Sequence, residues 1–127
     1  MHYTILLYAP EPTIGEGEGE VPPEVIERAK EGYRTFAAEL AESGAFVAGE
    51  VFDAEDTAVC VAERDGATQL TVGPPQRVTE ALAAVFVVDV DSRDAAVAWA
   101  KRCPGVSYGT LEVRAAATSI TPSGGWS

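Results

Sequence analysis

Histidine is almost missing from this chain: there is one, His2, in 127 residues. With only two cysteines, Cys60 and Cys103, no ligand set has zinc spacing, and neither a metal nor an organic cofactor is expected. Two cysteines also fall short of a disulfide framework, so they are expected as reduced, mostly buried thiols. Basic residues are scarce as well, 9 Lys+Arg against 20 Asp+Glu, for a formal net charge of −11. Such a chain has no basic face to neutralise phosphates, which argues against nucleic acid as a partner, and anionic membrane surfaces repel it. No apolar run approaches the ~20 residues of a membrane span. The opening Met1 to Tyr8 lacks the basic region and longer apolar stretch of a secretion signal. A cytoplasmic location is the expectation. A serine nucleophile wants for a partner base, since His2 alone would have to serve. Gly15-x-Gly17-x-Gly19 carries glutamates at the alternate positions, and these would repel a phosphate.

What remains is a composition of ordinary globular type, 46% hydrophobic and 23% charged, at a length that suits one domain. Residues 3 to 8 form a short apolar run ahead of Pro10 and Pro12, the pattern of a buried strand. A low-complexity acidic loop follows over 15–22, where glycine entropy and carboxylate repulsion oppose order. From Glu24 to Ser43, Ile26, Ala29, Tyr33, Phe36, Ala37 and Leu40 recur at helical spacing. Pro23 suits the first turn of this helix and Gly44 the position just past its end. Glu27, Lys30, Glu31 and Arg34 read as its solvated face. Strands are expected over 45–52, 57–63, 68–72, 83–91 and 110–115, with Asp65-Gly66 as a two-residue hairpin turn. Asp91 or Ser92 can cap a second helix, with Ala96, Trp99, Ala100 and Cys103 as its buried stripe.

This order predicts an α+β sandwich in which two helices cover one face of an antiparallel sheet. The other face would carry Val, Phe and Leu side chains, as a dimerisation surface or half of a pocket. Residues 1–116 form one domain with a flexible loop at 15–22, and 117–127 read as a flexible tail unless Trp126 docks.

Several short motifs resemble the YCII-related family, and more closely its DGPF branch. Tyr3 to Ala9 resembles the first strand. Phe36 to Leu40, Ser43-Gly44 and Ala48-Gly49-Glu50 follow the pattern F…EL…AG…GGE. Thr71-Val72-Gly73-Pro74-Pro75 stands where TDGPF is expected, and Thr79-Glu80 where KE is expected. Val87 to Ser92, Ala98-Trp99-Ala100, Pro104 and Glu112-Val113-Arg114 complete the match, which covers roughly residues 3 to 115. The resemblance implies a ferredoxin-like sandwich of the dimeric α+β barrel type, a homodimer through the open sheet face. It also implies a pocket between helix, sheet and the motif loop. Activities in the wider superfamily are cofactor-free isomerase, lyase and oxygenase reactions on small, often aromatic molecules. The chain departs from the pattern at Val72 for Asp, Pro75 for Phe, Thr79 for Lys and Ala83-Ala84 for Gly-Gly. Its first helix also lacks the histidine of the YCII His–Asp pair.

Glu50 and Glu80 are the remaining carboxylates at family-pattern positions, and either can serve as a general base if burial raises its pKa. The plainer reading is a surface Glu, or one paired with Arg114 or Arg77. Arg114 can grip a substrate carboxylate or phenolate, or pair with Glu80 or Glu112. Tyr8 and Tyr33, with Tyr3 and Tyr108, can line a cleft or merely belong to the core. Val72 and Pro74 complete the candidate ligand site through the motif loop. The expected function is binding of a small apolar or aromatic molecule in an apolar pocket of a homodimer. The alternative is a cofactor-free isomerase, cyclase or lyase working by proton transfer.

Overall fold

Alternation decides which face each strand buries. In the computed structural model, which describes residues 1–127, the first strand β1 (His2–Ala9) buries Tyr3, Ile5, Leu7 and Ala9 on one side. The intervening residues face the other. Helix α1 (Pro23–Ser43) begins with Pro23, whose missing N–H costs nothing there. It ends at Gly44, whose φ of 81° lets its N–H reach the Ala41 carbonyl. Phe36 and Leu40 are its buried contacts with the sheet. Strands β2 (Phe46–Val51), β3 (Val59–Arg64), β4 (Ala67–Val72) and β5 (Ala81–Asp89) follow. Helix α2 (Arg93–Arg102) is capped by the Ser92 hydroxyl, which accepts the Ala95 N–H at 3.1 Å. Strand β6 (Thr110–Ala115) closes the chain of elements.

The sheet runs β2-β5-β1-β6 and every pairing is antiparallel. Both helices cover one face, so the architecture is α+β, a ferredoxin-like βαββαβ sandwich into which the β3–β4 hairpin is inserted. Aromatic contacts close the core, with Phe36 edge-on to Phe86 at 5.3 Å between ring centroids and to Trp99 at 6.3 Å. Asp65 and Gly66, at φ of 54° and 77°, make the two-residue turn of the hairpin.

Some boundaries differ from the sequence expectation. Thr57 lies in a 3-10 turn (Glu55–Thr57), because its N–H and hydroxyl both reach back to the Ala54 carbonyl. Strand β5 starts two residues early, since Ala81 still pairs with Ala9. The acidic loop closes on itself through an Ile14–Val21 bridge and a Gly15 N–H to Val21 carbonyl bond of 3.0 Å. Trp126 pairs with Ile120 rather than docking on the core and is 72% exposed. No helix is long and apolar enough to cross a membrane.

Candidate functional site

A bulge sets up the site. Leu7 pairs with Ala84 but Tyr8 pairs with Leu82, so Ala83 is an extra residue on β5. Ala83 and Ala84 therefore both line a cleft on the helix side, while Tyr8 and Leu82 line a second cleft. The two flank the same strand ends.

The helix-side cleft has a volume of about 450 Å³, within the range of small-molecule sites. Its walls are Leu7 and Ala9 of β1, Val25, Ile26 and Ala29 of α1, Val51, Ala83, Ala84, Val21 and the Pro10 and Pro12 rings. The polar side chains lining it are Glu11, Tyr33 and Tyr108. One oxygen of Glu11 is engaged, its Oε2 accepting the Glu55 N–H at 2.7 Å. Tyr33 of α1 and Tyr108, after the turn at Pro104–Ser107, are hydrogen-bonded hydroxyl to hydroxyl. Gly105 permits this approach, because a Cβ there would lie 2.9 Å from the Tyr33 hydroxyl. Tyr33 also stacks parallel to Phe86 with centroids 6.5 Å apart. Burial, first, and then the bond to Tyr108 push the Tyr33 phenol well above its ordinary pKa, so it is a neutral group. Burial likewise raises the pKa of the Cys103 thiol beside it.

The second cleft, about 490 Å³, runs between the ends of β1 and β5 and the Gly73-Pro74-Pro75 turn. Gly73 is buried at a φ of 101°, and its N–H reaches the Ala58 carbonyl at 2.7 Å. Tyr8, Glu80, Pro74, Phe52 and Leu82 line this space. Thr110 donates to Glu80 Oε1 at 2.8 Å, and the Tyr8 hydroxyl donates to Glu112 Oε1 at 3.1 Å. Burial and then Glu112 raise the Tyr8 pKa, with Arg114 acting in the opposite direction. Tyr8 is therefore a neutral donor at physiological pH. Across the mouth Arg77 pairs with Glu55 at 3.3 Å.

The structure thus brings Tyr8, Glu80 and Pro74 to one cleft and sets Tyr33 in the other. Glu50 stands apart, exposed on edge strand β2 opposite Val85 and beside a shallow groove containing Lys30 and Arg34. Arg114 is exposed on β6 opposite Thr4 and makes no ion pair with Glu80 or Glu112. Val72 is on the hairpin and lines neither cleft. Sequence reasoning missed two contributors. The Pro10–Pro12 segment with Glu11 reads only as the flank of a strand, and Thr110 only as the start of β6. Tyr108 it names among four tyrosines able to line a cleft. The Pro-Glu-Pro spacing was the one available signal, a rigid segment directly after a buried strand.

A four-stranded antiparallel sheet with both helices on one side, and ligand-sized clefts at one end of its central strands, defines a class of small α+β proteins. The family model of the YCII-related domain matches residues 1–117, and the chain belongs to the YCII-related family. No curated protein matches it.

Proposed function

We propose that this protein binds a small apolar or aromatic molecule in the helix-side cleft and works as a cytoplasmic homodimer. The observation that carries the ligand reading is a volume of about 450 Å³ whose walls are mostly aliphatic and whose side-chain donors are the paired hydroxyls of Tyr33 and Tyr108. A cavity of this kind gains affinity from apolar area, at roughly 25 cal/mol per Å² removed from water, and its few polar groups orient the ligand. The test is a thermal-shift screen with small aromatic compounds, repeated on Ala29→Phe, which fills the cleft. A saturable rise in melting temperature that Ala29→Phe removes supports the reading. A rise that survives Ala29→Phe in a folded variant contradicts it.

Two surfaces with apolar residues support the dimer. The open sheet face presents the half-buried Leu6, Val85 and Val87 beside the charged Glu50, Glu112 and Arg114. The inserted hairpin sets Val59, Val61, Leu70 and Val72 side by side on one face, 57%, 69%, 70% and 77% exposed. A second copy is the partner that would cover both. Sedimentation at micromolar concentration tests this, and a stable monomer refutes it.

A proton-transfer reading is favoured by one feature of the other cleft. Glu80 is half-buried, Thr110 holds one of its oxygens, and Oε2 has no protein partner. It can take a proton from a substrate lying against Leu82 and Pro74, with Tyr8, whose O–H is held by Glu112, on the same wall. Isotope exchange at an activated C–H of a bound ketone, lost in Glu80→Gln, is the expected signature. Equal exchange in wild type and Glu80→Gln excludes this role.

A further inference from the structure

The helix-side cleft offers a ligand one kind of side-chain donor. No Lys, Arg or His lines it, and the single carboxylate, Glu11, can only accept, with its Oε2 already taking the Glu55 N–H. The donors are the two bonded hydroxyls of Tyr33 and Tyr108. Two phenols carry two O–H protons, and one proton lies in the bond between them. The pair therefore keeps one O–H for a third atom. The sulfur of Cys103 beside Tyr33 is a weak acceptor and does not compete with a carbonyl oxygen. Half of the site's donor is anchored: Tyr33 is stacked on Phe86 and packed against Gly105. Tyr108 is 47% exposed and closes the pair from the surface side.

We propose that this cleft selects an uncharged apolar molecule carrying one oxygen acceptor, such as an aryl ketone or lactone, and that the Tyr33–Tyr108 pair reads that oxygen. The inference rests on the reading of the cleft as a ligand site. A carboxylate of the same shape is rejected. It would bring a charge into an aliphatic cavity with no cation to receive it, on a chain that already carries a net charge of −11. A plain hydrocarbon is accepted but takes no hydrogen bond from the pair, so it binds more weakly than the ketone.

Calorimetric titration with naphthalene, 2-acetylnaphthalene and 2-naphthoate at pH 7 separates these cases. The ketone is expected to bind roughly three- to tenfold more tightly than the hydrocarbon, the range of one net hydrogen bond, and the carboxylate at least about tenfold more weakly than the ketone. With Tyr33→Phe and Tyr108→Phe combined in one chain, which removes both O–H protons, the ratio of ketone to hydrocarbon affinity is expected to fall to about one. Each single variant keeps one O–H and is expected to retain a ratio above one. Equal binding of ketone and hydrocarbon by the wild type overturns the selectivity while leaving the ligand site standing. So does naphthoate binding as tightly as the ketone, or a ratio unchanged in the double variant. Failure of all three compounds to bind overturns the ligand-site reading and the selectivity with it.

Discussion

Replacing Gly105 by Ala adds a single methyl group at the contact that supports the helix-side cleft. That Cβ would stand 2.5 Å and 2.8 Å from the two methyls of Leu7 and 2.9 Å from the Tyr33 hydroxyl. None of these neighbours is free to retreat: Leu7 is 2% exposed in the core, and Tyr33 is stacked and hydrogen-bonded. Overpacking of a filled site costs about 1–3 kcal/mol. At roughly 3–5 °C per kcal/mol for a domain of this size, the melting temperature should fall by about 3–15 °C. Gly32→Ala is the internal comparison, because Gly32 faces the same turn from within α1. Its Cβ would meet only the Pro104 ring, at 3.3 Å. Alanine gains up to about 1 kcal/mol over glycine inside a helix, so Gly32→Ala should be neutral or raise the melting temperature by a few degrees. Scanning calorimetry of both variants at one pH gives the answer. Opposite signs support the packing argument. A Gly105→Ala protein as stable as wild type refutes it, since Leu7 and Tyr33 would then have room that their contacts deny.

Three further outcomes follow from single groups. Native Tyr33 should stay protonated where the tyrosines of the unfolded chain have titrated, seen as phenolate absorbance that appears only on unfolding. Because its pKa is raised in the folded state, the unfolded chain binds fewer protons above the ordinary tyrosine pKa of about 10, and stability falls as pH rises from there. A full complement of phenolate in the native protein near that pH contradicts the burial argument. Cys60, partly exposed, should react with a thiol reagent at pH 8 well before Cys103, which is fully buried with a raised pKa. Equal rates in the folded protein would exclude this placement. Ser92→Ala removes the cap of α2 and should cost about 0.5–2 kcal/mol in urea unfolding. An unchanged midpoint would show the hydroxyl bond to be idle.

Much of the fold was readable because it depends on local pattern. The 3.6-residue spacing from Ile26 to Leu40 placed α1 within one residue of its start, and Asp65-Gly66 located the hairpin turn without ambiguity. Alternation in β1 separated the helix-covered face from the open face. The site was harder to read, since it depends on contacts between distant segments. Nothing local announces that Ala83 is a bulge, because the extra residue exists only relative to β1. Tyr33 and Tyr108 are 75 positions apart and meet only when the Pro104 turn packs on α1. Glu50 looked suited to burial because its strand is apolar, but β2 is the edge of the sheet and the residue falls on the solvent side.

The central claim is that a small molecule is held in the helix-side cleft. An amide chemical-shift titration of the isotope-labelled protein with 2-acetylnaphthalene tests it most directly. Saturable shifts are expected to cluster on Leu7, Ala9, Ile26, Ala29, Ala84 and Tyr108, with the Pro74 turn and the β3–β4 hairpin unmoved. Shifts centred instead on Tyr8, Glu80 and Leu82, or scattered without saturation, would contradict it.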